Sequence, residues 1–135
     1  MLSTIQKRLQ REEGFTLIEL LVVVIIIGIL VAIAVPGYMG LRNNANESAA
    51  QANVRSAIPV VQSFYADNNT YVGMDTAALV AKDAGLDGKV IVDAAPAVSA
   101  TAFCIESTVG GSTYSYGYGL ATAANNGKVV EAACA

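Results

Sequence analysis

Residues 15–35 read FTLIELLVVVIIIGILVAIAV, and their reading decides the fold. The run contains one charge, Glu19. As an α-helix rising about 1.5 Å per residue it extends roughly 31 Å, enough to cross the hydrocarbon core of a bilayer. Apolar side chains go all the way round, so the helix has no face to offer water. Such a helix belongs in lipid or at the centre of a bundle. The segment before it, residues 1–14, is polar and carries Lys7, Arg8 and Arg11. Positive charge on that flank predicts that the N-terminal end stays cytoplasmic and the C-terminal part is exported.

Two plain readings fit these features: a secretory signal peptide and a simple membrane anchor. Ala32-Ile33-Ala34 has the small-x-small form of a signal cleavage site, though Pro36 follows closely. The apolar run is also longer than the roughly 7–15 residues of an ordinary signal peptide. Glu19 argues for more than an anchor. An ionised carboxylate in hydrocarbon costs several kcal/mol, so a carboxylate near one end of such a helix is a functional candidate. The alternative is a side chain that merely reaches to the interface.

The string Gly14-Phe15-Thr16-Leu17-Ile18-Glu19-Leu20 follows a short basic leader and opens an apolar helix that contains Pro36. It resembles the class III signal of type IV pilins and related pseudopilins. The likeness covers roughly residues 7–37 and continues more faintly to about residue 75. The resemblance implies that a membrane prepilin peptidase cuts after Gly14, and that Phe15 becomes an N-methylated N-terminus. It implies that Glu19 is required for assembly. It also identifies Pro36, followed by Gly37, with the family's helix-kinking proline. The implied roles fit the physics. A cut on the cytoplasmic side keeps the anchor. The new α-amine of Phe15 is a cation that Glu19 of a neighbouring subunit can pair with, neutralising two charges in an apolar fibre core.

After Val35 the stretch Pro36-Gly37-Tyr38-Met39-Gly40 is expected to kink or locally melt, since proline lacks an N–H and glycine is a weak helix former. Helical spacing returns over residues 41–66. Leu41, Ala45, Ala49 and Ala52, then Val54, Ile58, Val61 and Tyr65, form the expected apolar stripe. Arg42, Asn43, Asn46, Glu47 and Asn53 form the opposite side. Pro59 predicts a second bend, and Asp67-Asn68-Asn69 predicts the stop.

Residues 67–135 read as a small headpiece. A short helix is expected over residues 75–85, with Asp75 as N-cap and Gly85 as the residue beyond its end. Strand-like runs follow at Lys89–Asp93, Ala102–Ser107, Thr113–Leu120 and Lys128–Ala132. Gly110-Gly111 and Asn125-Asn126-Gly127 mark turns between the last three. The expected fold is α+β: a long N-terminal helix, half apolar and half amphipathic, packed on an antiparallel sheet of about four strands. This is the ladle fold of pilins. Tyr114, Tyr116 and Tyr118 share one strand face, either as packing or as an exposed aromatic patch for adhesion or carbohydrate contact.

The chain has 135 residues, 54% of them hydrophobic and 14% charged, with no His and no Trp. The absence of imidazole removes the usual nucleophile–base pairs and His-based metal sites. Two cysteines are too few for a structural zinc. Asp83, Asp87 and Asp93 are scattered. No cofactor, metal or catalytic residue is expected. Beyond residue 14 the chain keeps five basic and nine acidic side chains, a balance unsuited to nucleic acid. Cys104 and Cys134 are the only thiols, and the predicted topology puts both outside the cytoplasm. A disulfide between them is expected, with two reduced thiols as the alternative. Their position matches the disulfide that bounds a C-terminal loop in many pilins.

The function implied is that of a structural subunit, a major pilin. Its partners would be other copies of the chain, the prepilin peptidase and the inner-membrane assembly machinery. It would begin in the cytoplasmic membrane and end in an extracellular filament serving adhesion, motility or DNA uptake. The alternatives are a pseudopilin of a type II secretion or competence system and, in another class, a membrane-anchored solute-binding domain.

Overall fold

The computed structural model describes residues 15–93, 98–120 and 126–134. The leader, including Gly14, lies outside the described residues, as does Asn125 of the second expected turn. The chain divides into two compact units, Met1–Gly40 and Leu41–Ala135. Helix α1 is Leu17–Asn68 and contributes to both. The segment 36–40, expected to kink or melt, is helical, and so are the residues around Pro59. A proline removes one donor, and the other intrahelical bonds of its neighbours remain available.

In the second unit α1 presents Ala50, Val54, Ala57, Val61 and Phe64 to the core, a run of steps of four and three. This corrects the expected stripe. Leu41 is exposed, and Ala45, Ala52 and Tyr65 also lie outside the buried seam. Ala50 and Ala57 are completely buried. Asn46 and Asn53, expected on the far side, approach sheet residues instead. Asn53 Nδ2 donates to Ser107 Oγ at 3.2 Å, and Ser107 Oγ donates to the Lys89 carbonyl at 2.5 Å. Ser107 is 1% exposed, so this pair of bonds satisfies a hydroxyl that water cannot reach.

The helix ends where turn residues accumulate. Asn69 adopts φ +54°, and its N–H donates to the Tyr65 carbonyl at 2.7 Å. Asn68 Nδ2 caps the Phe64 carbonyl at 2.9 Å. Asparagine is among the few residues that take the left-handed region readily. Helix α2 follows as Thr76–Lys82, with the Ala78 N–H bonded to Asp75 Oδ1 at 2.7 Å, the expected N-cap. Gly85 does not terminate it. The Asp83 carboxylate accepts from the Gly85 N–H at 2.8 Å and starts a separate 3-10 turn, Ala84–Leu86. Lys82 of α2 pairs with Asp67 near the end of α1.

The sheet is an antiparallel meander in the order β1 (Ile91–Val92), β2 (Phe103–Val109), β3 (Ser112–Tyr118), β4 (Val129–Val130). The expected four strands are present, the two edge strands shorter than expected. The central pair is closed by Gly110-Gly111, with φ +59° and +93° and Val109 opposite Ser112. Two successive positive φ values make the turn whose twist matches paired strands. Phe103, Ile105 and Ser107 stand opposite Tyr118, Tyr116 and Tyr114. Phe103, Ile105 and Tyr114 are buried with the α1 seam. Alternation puts Cys104, Glu106 and Ser115 on the other face. There the chain's end is fastened. Cys104 and Cys134 form a disulfide, and the Cys134 N–H donates to Glu106 Oε2 at 2.9 Å.

Candidate functional site

The described part of the first unit, from Phe15, is apolar helix. An 18-residue stretch of it reaches a mean hydropathy of 3.3, and none of that stretch is buried within the chain. It is long and apolar enough to cross a membrane. Its side chains are exposed on every side, from Leu17 at 84% to Val22 at 47%. An all-round apolar surface of this size is unfavourable in water and favours lipid or other apolar helices.

Glu19 sits at the start of that helix in a defined arrangement. Thr16 is the residue before the first helical position. Its backbone N–H donates to Glu19 Oε2 at 2.8 Å, and its hydroxyl donates to the same oxygen at 2.7 Å. In return the Glu19 N–H lies 3.3 Å from Thr16 Oγ1 as donor. This is a capping box, in which the residue before the helix and the third residue within it each satisfy the other's free backbone donor. Negative charge is favoured at this end by the helix dipole. Among the described residues nothing hydrogen-bonds Glu19 Oε1. A carboxylate has about four acceptor positions over its two oxygens, so a donor from outside the chain can still be accepted.

Phe15, Ile18, Glu19, Val22 and Val23 line a surface depression around that carboxylate. Phe15 itself is 89% exposed. Phe15 and Glu19, singled out from the sequence, are therefore neighbours at one helix end. Gly14 is outside the described residues. Pro36, Gly37 and Pro59 lie within α1, and the cysteine pair is in the second unit, away from this motif in the sequence. Thr16 is the residue that the sequence reading passed over. The T-x-x-E spacing before an apolar run is its readable signal. Among the described residues no group of three or more Cys, Asp or Glu side chains could hold a metal.

Comparison with known proteins meets the same segment. The prokaryotic N-terminal methylation motif matches residues 9–35. The chain is 55% identical over 56 residues to the type IV narrow pilus major component PilA5 of Thermus thermophilus, covering 42% of this chain and 45% of that protein. It is 41% identical over 61 residues to the type IV major pilin protein PilA of Myxococcus xanthus, covering 45% of this chain and 28% of that one. It is also 38% identical over 66 residues to the type II secretion system core protein G of Aeromonas hydrophila, covering 49% and 45%. In these three alignments the chain spans between about a quarter and a half of the relative's length.

Proposed function

We propose that this chain is a structural subunit of a type IV pilus, held in the cytoplasmic membrane as a precursor and polymerised through the first unit of α1 into an extracellular filament. Processing would remove residues 1–14 by a cut after Gly14 and methylate the new amine of Phe15. Both donors to Glu19 Oε2 belong to Thr16, so the cut leaves the capping box intact. The role is structural rather than catalytic. The observation that carries it is Glu19: the one charged side chain among the described residues of the first unit, held at one oxygen and open at the other. The Phe15 ammonium of an adjacent copy supplies the matching cation, and the paired charges enter an apolar core together. The proposed partners are further copies of the chain, the prepilin peptidase and the inner-membrane assembly machinery. Adhesion, motility or DNA uptake would be the output of the filament.

A pseudopilin in a short secretion-system filament is the second reading, favoured by the similarity to core protein G. Mechanical shearing of intact cells separates the two. Recovery of the chain in long extracellular filaments, with an N-terminal mass starting at methylated Phe15, is the expected result. Confinement of the chain to the membrane fraction favours the pseudopilin. A mature protein that begins elsewhere than Phe15 overturns the processing site.

A further inference from the structure

The second unit contains a cleft of about 440 Å³ that assembly through the first unit does not use. Gln62 and Tyr65 of α1 form one side, Phe103, Tyr116 and Tyr118 of the sheet form the other, and Tyr71 joins them from the loop after α1. The volume falls within the roughly 300–1,000 Å³ of small-molecule sites. We propose that this cleft binds a neutral saccharide.

The lining residues are uncharged, and their polar side chains carry phenol hydroxyls, the Gln62 amide and the Thr101 hydroxyl. Each hydroxyl both donates and accepts, as does the amide, which suits a polyol whose own hydroxyls do the same. Among the described residues none of these side-chain groups has a hydrogen-bond partner. Tyr71 is only 8% exposed, and a ligand hydroxyl in the cleft would give its phenol a partner. Tyr118, at 54% exposure, offers open ring surface at the rim, against which the C–H face of a sugar ring packs.

Other small ligands fit less well. Single-stranded nucleic acid stacks on aromatic rings but also needs a cationic groove, and no Lys or Arg lines this one. An organic cation needs ring faces turned on a shared point. Here successive rings are packed on each other, Tyr65 with Tyr71 and Tyr71 with Phe103 at 4.7 Å between centroids, then Phe103 with Tyr116 at 5.9 Å. An acyl chain would leave the Tyr71 phenol without a partner.

The test uses the full chain in a polyoxyethylene detergent, since alkyl glycosides would themselves compete. Methyl β-glucopyranoside, methyl β-galactopyranoside and methyl N-acetyl-β-glucosaminide are the probes, read by saturation-transfer NMR. The expected result is transfer to ring C–H protons of at least one probe. Tyr118→Ala and Gln62→Ala, each checked for folding by its thermal melt, should weaken binding at least tenfold. Tyr38→Ala, outside the cleft, should leave it unchanged. No transfer to any of the three overturns the proposal, and so does transfer that both cleft variants preserve. If the cleft's tyrosine signals respond to protein concentration and to none of the sugars, the occupant is a second copy and the saccharide assignment falls. None of these outcomes depends on whether the chain forms filaments.

Discussion

The amide and the hydroxyl of Thr16 both donate to one oxygen of Glu19, at 2.8 and 2.7 Å. The carboxylate is thereby turned back over the helix end and held there, with its second oxygen available. Under the proposed function this makes Thr16 a positioning residue for the charge pair. Thr16→Val removes the hydroxyl and keeps the shape. It should be processed normally and yield several-fold fewer sheared filaments. Thr16→Ser should restore them, since it retains the oxygen. Glu19→Leu should be processed and should build none. Immunoblots of cell and sheared fractions give both readouts. Filaments from Glu19→Leu at normal yield would remove the charge-pairing argument.

The disulfide Cys104–Cys134 closes a loop with a sequence separation of 30 and fastens the chain's end to the sheet face opposite α1. The chain-entropy model assigns roughly 3–4 kcal/mol to a loop of that size. Reducing it in the full chain should lower the urea midpoint of the second unit and its unfolding free energy by an amount in that range, followed by near-ultraviolet circular dichroism of the tyrosines. The helical signal of the first unit should persist. An unchanged midpoint would mean that the Glu106–Cys134 hydrogen bond and apolar packing suffice to hold the end.

Particular residues show how far the sequence could be read. The apolar helix and the Phe15–Glu19 motif were legible because they are local, and neither needs a partner within the chain. The α+β class was legible because turn residues separate the strand-like runs. The helix face was not. Periodicity ranks residues by hydrophobicity, and it placed Asn46 and Asn53 outward. In the folded chain Asn53 reaches Ser107 and Asn46 lies over the β2–β3 turn, both through contacts distant in sequence. Edge strands β1 and β4 are two residues each, shorter than the strand-like runs of the sequence. Gly85 was read as a helix end, whereas α2 closes at Asp83, whose backbone N–H donates to the Leu79 carbonyl.

Asn46 also makes Gly110 testable. A Cβ on Gly110 would collide with the side-chain amide of Asn46, and its φ of +59° disfavours any side chain. Gly110→Ala should therefore destabilise the second unit by about 1–3 kcal/mol. Asn46→Ala alone should change little, because Asn46 sits on the surface margin of α1. The double variant should recover part of the loss, the share due to collision, and retain the share due to backbone strain. Urea unfolding of the three variants closes the cycle. Simple additivity would mean that the amide swings away at no cost.

Tyr71 predicts a pH dependence. Burial pushes its phenol above the ordinary value, with smaller contributions from Tyr65, Tyr118 and Tyr116. A raised folded-state pKa means that the folded chain holds this proton more tightly than the unfolded one. Below the unfolded value of about 10 both states are protonated, and the contribution to stability is fully present. As pH rises beyond that value the unfolded state releases the proton first, and stability is lost up to the folded pKa. Thermal melts of the second unit should therefore fall above pH 10. Tyr71→Phe removes the titrating group and keeps the ring contacts with Tyr65 and Phe103, so its melting temperature should fall less steeply over the same interval. An equal slope in both proteins would place the alkaline transition on another group.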